Sequence, residues 1–476
     1  MQDIAAYDGV GLGELIAKKE ISALELVEAT IERIEKLNPH LNCISVKNYD
    51  VARDLAKNYD PSNQKSPLSG VPWFMKNLIL GYEGTETSNS LRPMAGLMAP
   101  HDSSLIDRAR KAGLILAAKT AVPENGFCIS SEAPLYGPTR NCWNQDYIGG
   151  GSSGGAGVSV GARLLPFAHA SDGAGSTRIP ASFNGVFGLK ASRGATSYAP
   201  DYADIWYGGA VEGCISVSVR DNAAYHDIIT GNNVGETYEF CKPETSYLSE
   251  TNKQPGALKI GFCTTNPSGA PLDPECELAV TNTAKLLENL GHNVEEIAFS
   301  HSGKSLMDTF DNLAAVCAGA GMHALSNALG RPVEKAEFTR VNWELAEKGK
   351  TISGIDHCAH VEQFRMLGRS IALQCSEYDV VLSPTLPKPP LKLGSYDMER
   401  PLDEYVPLLM EQIIYTLAYS CSGQPAMSVP LHWTKDGLPV GLQFAAGYGQ
   451  EGLLYRLAAQ LEKAQPWAQK IPDIAK

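Results

Sequence analysis

The chain has 476 residues, 43% hydrophobic and 20% charged, a globular composition long enough for one large domain or two to three ordinary ones. Lys and Arg number 40 against 53 Asp and Glu, a net charge of −13, and no basic run offsets it; this argues against nucleic acid and anionic membranes as partners. The 11 cysteines are odd in number and lack CxxC spacing, which argues against a disulfide framework or structural zinc and for reduced, mostly buried thiols in a cytoplasmic protein.

The N-terminal MQDIAAYDGVGLGELIAKKE lacks the basic-then-apolar pattern of a signal peptide, and no apolar run reaches about 18 residues, so no membrane span is expected. Residues 9–37 read as two amphipathic helices. Leu12, Leu15 and Ile16 form one stripe; Leu24, Val27, Ile31 and Ile34 form the other. Ser22 is the expected N-cap of the second, with Glu25 completing a capping box. A short helix over 50–57 and a turn-rich loop over 61–67 close an N-terminal helical layer, 1–66. From 67 to 231 the pattern turns to α/β. It predicts a helix over 102–112, a strand over 114–117, a small-residue helix over 156–164, and strands over 167–170 and 186–189. Residues 232–256 are polar and aperiodic and read as an excursion. The part from 257 to 476 completes the sheet and pocket. It carries strands over 258–262, 379–382, 427–430 and 440–444, a helix over 275–290 stopped by Gly291, and a closing helix over 450–464. This alternation predicts a single α/β domain over 1–476, with a mixed, mainly parallel twisted sheet covered by helices on both faces.

Residues 149–178 read GGGSSGGAGVSVGARLLPFAHASDGAGSTR. Ser152 and Ser176 each sit in glycine-dense surroundings. A serine hydroxyl becomes a useful nucleophile beside a base and facing backbone N–H donors, and glycine lets bare backbone approach a substrate. The glycines match neither the P-loop nor the dinucleotide fingerprint. A Ser-His-Asp triad finds no base: His169 precedes Ser176 by seven residues, falls on a predicted strand and reads as a packed core histidine. No HExxH pair supports metal hydrolysis. Serine with lysine remains. Lys76 follows the apolar VPWFM, where desolvation would favour the neutral amine that a base must be.

These motifs carry a resemblance. GGSSGGAG, DGAGSTRIPASFNGVFGLK, GVPWFMKN, AKTAVPENG, GPTRNCWN, GQPAMSVP and GLPVGLQ together resemble the amidase signature hydrolases over essentially the whole chain. The two serines lie 24 residues apart, the family spacing. The resemblance implies the amidase signature fold and cleavage of a non-peptide C–N bond without metal or cofactor. It implies Ser176 as nucleophile, Ser152 as a bridging serine held by a cis peptide after Gly151, and Lys76 as the base acting through Ser152. It implies an oxyanion hole from the N–H groups of Gly173, Ala174, Gly175 and Ser176, with Asp172, Arg178 and Ser153 supporting the loops.

The chain departs from the family at Ala174, where glycine is usual, at Asn77 after the lysine, and at Asn141-Cys142-Trp143. The Ala174 turn and LDPEC at 272–276 are most similar to the aminohexanoate cyclic-dimer hydrolase and aryl acylamidase branch. That branch implies Cys317 near the substrate, and Phe127 is expected on the pocket wall. The expected substrate is a small, neutral, fairly apolar amide, linear, aryl or cyclic, or a carbamate, handled by a monomer or homodimer. The alternative is the glutaminase subunit of a tRNA-dependent amidotransferase; Ala174, the apolar surroundings of Phe127 and the lack of basic patches count against it.

Overall fold

A computed structural model describes residues 4–299 and 302–476. The chain opens with α1 (Gly9–Ala17) and α2 (Ala23–Leu41), the two expected helices. The capping box forms: Ser22 Oγ accepts the Glu25 N–H at 3.1 Å, and the Glu25 carboxylate accepts the Ser22 N–H at 2.8 Å. Strand β1 (Ile44–Lys47), α3 (Tyr49–Lys57), β2 (Pro72–Lys76), α4 (Ser104–Lys111) and β3 (Ile115–Thr120) follow. A small hairpin, β4 (Glu132–Ala133) and β5 (Gly137–Pro138), precedes α5 (Gly154–Gly161), β6 (Phe167–Asp172), α6 (Arg178–Asn184) and β7 (Phe187–Lys190). Then come β8 (Val211–Ser216) and α7 (Val219–Ile229), neither anticipated from the sequence. The polar stretch over 232–256 holds one short helix, α8 (Tyr247–Glu250), whose first N–H groups donate to the Asp227 carboxylate of α7.

The second half contains β9 (Lys259–Phe262), α9 (Pro274–Asn289) and β10 (Asn293–Glu296). After these come three helices in succession, α10 (Gly303–Leu329), α11 (Arg340–Thr351) and α12 (Gly354–Cys375). Strand β11 (Val380–Pro384), α13 (Leu402–Ser422), β12 (Ala426–Trp433), β13 (Pro439–Ala446) and α14 (Glu451–Ala464) complete the chain. Helices α10 to α13 were not read from the sequence. Among the described residues, no helix is long and apolar enough to cross a membrane.

Eleven strands form one sheet in the order β1-β3-β2-β6-β8-β7-β12-β13-β11-β9-β10. The sheet is mixed and covered on both faces. Parallel pairs occupy its two wings: β3, β2 and β6 on one, β11, β9 and β10 on the other. The middle, from β6 to β11, is antiparallel throughout, so the parallel share is smaller than the strand–helix alternation suggested. The short turn between β12 and β13 permits only an antiparallel pair.

Period-two alternation sets what each face receives. Along β2, Trp73 and Met75 pack into a cluster with α1, α4 and α7, while Phe74 packs into another with α2, α3 and α5. Lys76 shares the parity of Phe74 and so turns toward α5. A third cluster, built mainly from α10 to α13, packs against Phe127, Ile179 and Phe183 and forms the roof over the site described next.

Candidate active site

Strands β2 and β6 run parallel, so their C-terminal ends reach the same edge of the sheet. One delivers Lys76, the other Ser171 and Asp172. Lys76 is 0% exposed. Its Nζ lies 2.8 Å from Ser152 Oγ, 2.8 Å from Ser171 Oγ and 3.4 Å from the Ser171 carbonyl. Burial pushes its pKa down to about 7, against the pull of the Glu212 and Asp172 charges. A neutral amine has two N–H donors and one lone pair; a serine hydroxyl can donate to the latter.

Ser152 follows a cis Gly151–Ser152 peptide on the turn that enters α5. A Cβ on Gly151 would meet the Cys128 carbonyl at 2.6 Å, so the turn can lie this close only with glycine there. Ser153 ties the two glycine turns together: its N–H donates to the Ser176 carbonyl at 3.3 Å and its hydroxyl to the Ser171 carbonyl at 3.2 Å.

The second turn is fixed by a buried ion pair. Arg178 Nη2 donates to Asp172 Oδ1 at 2.8 Å and Nε to Oδ2 at 2.9 Å, while Nη1 reaches Gln443 Oε1 at 2.8 Å. Burial alone would raise the Asp172 pKa, but Arg178, Lys190 and the Thr177 N–H outweigh it and hold the carboxyl below its usual range. The Gly175 N–H donates to Asp172 Oδ1 at 2.7 Å. This corrects the expected oxyanion hole: the Gly175 amide is already committed, and Gly173, Ala174 and Ser176 are the turn residues that border the cavity. Gly175 has φ +127°, and a Cβ there would meet Thr416 Oγ1 at 2.4 Å. The Ala174 carbonyl accepts from Thr416 Oγ1 at 2.6 Å, so helix α13 also holds the turn.

Ser152, Ser171 and Ser176 line one cavity whose remaining wall is largely apolar, including Leu78, Phe127, Ile129, Trp206, Phe310, Leu345 and Met410. Ser176 is partly exposed there, and its hydroxyl makes no hydrogen bond among the described residues. The Lys76–Ser152 contact is thus formed, while Ser152 and Ser176 share the cavity without bonding each other. Phe127 stacks on Trp206 with centroids 5.3 Å apart, and Trp206 packs on Phe310 at 5.1 Å. The half-buried Cys317 turns its thiol to Tyr207 Oη at 3.5 Å, one turn of α10 beyond the wall residue Ala314. His169 is buried as expected, with Nδ1 accepting the Lys76 N–H at 3.2 Å and Nε2 2.8 Å from Glu212 Oε2.

The sequence reading missed Ser171, which stands near the end of β6, where its hydroxyl reaches Lys76 Nζ. It also missed Tyr198, Trp206 and Asp311, which reach the wall from distant segments and carry no local signal.

The amidase family model matches residues 25–455. The 6-aminohexanoate-cyclic-dimer hydrolase of Paenarthrobacter ureafaciens is 34% identical over 98% of this chain and 96% of its own. The acylamidase of Rhodococcus erythropolis is 31% identical over 96% and 95%. A solved structure of 6-aminohexanoate cyclic dimer hydrolase complexed with substrate superposes with a TM-score of 0.94 at 33% identity, covering 99% of this chain and 100% of that one. Similarity that runs nearly end to end, in sequence and in fold, places this chain in the amidase family, the hydrolases of carbon–nitrogen bonds other than peptide bonds.

Proposed function

We propose that this amidase cleaves a small, fairly apolar amide, linear, aryl or cyclic, or a carbamate, through an acyl-enzyme on Ser176 with Lys76 and Ser152 relaying the proton. The observation that carries the reading is the 2.8 Å contact between buried Lys76 Nζ and Ser152 Oγ, on the wall of the cavity that Ser176 also lines. A lysine whose pKa is about 7 supplies neutral amine at neutral pH. Ser152 passes the Ser176 proton to that amine as Ser176 Oγ attacks the carbonyl carbon. Catalytic hydrogen bonds commonly tighten only when substrate is bound, and the Ser152–Ser176 contact closes at that stage.

The developing oxyanion takes hydrogen bonds from the N–H groups of Gly173, Ala174 and Ser176, each typically worth about 3 kcal/mol in the transition state. The relay then returns the proton to the leaving nitrogen. Water, activated by the same relay, releases the acid and restores Ser176. The apolar wall and the relatives' names support a substrate with little charge. The same wall speaks against a glutaminase: free glutamine would bring an α-carboxylate, and no Lys or Arg borders the cavity among the described residues.

A panel of acyl anilides, cyclic amides, primary amides and carbamates tests the reading. The expected result is turnover of anilides or cyclic amides without a partner protein, and an acyl adduct on Ser176 by mass spectrometry. Ser176→Ala is expected to abolish turnover. Undiminished activity in that variant would overturn the assignment.

A further inference from the structure

Helix α12 turns Phe364, Gly368, Ile371 and Cys375 inward, where they are buried. At about 100° per residue, Ile355, Met366 and Leu373 lie on the opposite side. They are 84%, 54% and 61% exposed. Exposed apolar side chains scattered singly are ordinary, but three in line on one helix face mark a surface made for a partner. Exposed Ala359, Glu362 and Arg369 fill the intervals between them, so the row advances by four and three residues in alternation. That is the spacing of the seam between two helices of a coiled coil. Charge selects the partner. The acidic Asp356 and Glu362 precede the basic Arg365 and Arg369 along the helix. All four are exposed, and none makes an ion pair among the described residues. An antiparallel copy of α12 lays its basic half over this acidic half. A two-fold axis at Phe364 sets Ile355 against the other copy's Leu373 and Glu362 against its Met366. Each Glu362 then lies within one turn of the other copy's Arg365 and Arg369. The two Arg365 side chains meet beside the axis, where the Glu362 carboxylates offset them. A parallel pair would instead set like charges together.

We propose that two copies of this chain associate through the outer faces of their α12 helices, antiparallel and related by a two-fold axis, with the Ile355–Met366–Leu373 stripe as the buried seam and Glu362 paired to arginine across it. Such an interface is self-complementary, so one surface serves both copies. A net charge of −13 opposes association in general, and the complementary halves of α12 supply the local attraction that overcomes it. A single helix pair is a small interface, so the dimer is reversible, with a Kd of about micromolar. Among the described residues, none of α12 borders the cavity, so the pairing can be broken without altering the cavity wall.

Sedimentation velocity of the full chain, from about 1 to about 100 µM, tests this. The wild type is expected to sediment as a dimer at the upper end, and Met366→Glu as a monomer throughout. Glu362→Arg and Arg369→Glu are each expected to weaken self-association by about tenfold or more, because each sets like charges across the seam. An equal mixture of these two variants is expected to associate again, since each carries the charge the other lacks. That recovery separates a broken interface from a broken fold, which could not be rescued by mixing. A wild type that stays monomeric over the whole range would overturn the proposal. So would a dimer that persists in Met366→Glu and in both charge variants, which would place the interface elsewhere. A mixture that fails to associate would overturn the antiparallel pairing. A monomeric wild type that floats with phosphatidylcholine vesicles would give the stripe to a lipid surface and overturn the second copy as its occupant.

Discussion

Lys76 ends β2 with its amine 0% exposed, and burial pushes its pKa down to about 7 while Glu212 and Asp172 pull it back up. A base must be unprotonated, so kcat/KM is expected to fall on the acid side of about pH 7, and Lys76→Ala is expected to lose several orders of magnitude. Glu212 gives a sharper test because it touches no substrate. Its carboxylate sits behind the lysine, bonded to His169, whose other nitrogen accepts the Lys76 backbone N–H. Replacing Glu212 by Gln removes a negative charge that favours protonated Lys76, so the lysine pKa drops further and the acid limb moves to lower pH. A pH–rate profile on both proteins measures this, and a limb that stays in place would separate it from Lys76. The burial of Lys76 was legible from the apolar residues before it. The commitment of the Gly175 amide to Asp172 was not, because sequence gives the residues of a turn but not which way each N–H points.

Among the elements, α11 owes its seat to one carboxylate. Its N-cap is Thr339, and Glu124 Oε1 accepts the Thr339 N–H at 2.9 Å, the Thr339 hydroxyl at 2.9 Å and the Asn342 amide at 2.9 Å. Glu124 stands beside Asn125, Gly126 and Phe127, and α11 contributes Val341 and Leu345, so this junction sets the distance between two walls of the cavity. Glu124→Ala is expected to destabilise the protein by about 2 kcal/mol or more, since it strips several buried donors of their acceptor. Its KM for apolar amides is expected to rise more than its kcat falls, because Lys76, Ser152 and Ser176 of the proposed relay are untouched. Urea denaturation and steady-state kinetics check the two halves separately. This roof is also where the sequence was hardest to read. On α12 only Phe364, Gly368, Ile371 and Cys375 are buried, while Ile355, Met366 and Leu373 are exposed and blur the period of the apolar stripe. By contrast α2, with a Ser22–Glu25 cap and a regular buried stripe, was plain from its residues. Strand β8 was missed because its core includes Glu212 and Gly213, which read as loop until His169 is seen to partner Glu212.

Across the whole molecule, the sheet buries more lysine than the one assigned to the proposed relay. Lys119 of β3 and Lys190 of β7 are each about 1% exposed or less, and burial pushes both pKa values down to about 7, as it does for Lys76. Lys119 Nζ donates to the Glu86 carbonyl and to Thr87 Oγ1, and Lys190 Nζ to the Ala191 and Gln424 carbonyls, so both bind loops to the sheet with neutral donors. The linkage has a definite sign. Between about pH 7 and the ordinary lysine value of about 10.5, the unfolded chain holds protons that the folded chain does not, so stability rises with pH across that window. Buried thiols and phenols such as Cys43 and Tyr198, whose pKa values burial raises, reverse the trend once their unfolded counterparts ionise, above about pH 8.5. Each buried lysine then adds a slope approaching about 1.4 kcal/mol per pH unit between pH 7 and about 8.5. Lys119→Met isolates one of them, since Lys119 lies outside the proposed relay and does not border the cavity. The variant is expected to lose the Glu86 and Thr87 bonds at every pH, a constant deficit, and to lack the lysine's slope. The wild type should therefore pull ahead of the variant as pH rises from 7 to about 8.5, read as a widening gap in denaturant midpoints. A gap that stays constant over that range would mean that Lys119 keeps its proton in the fold.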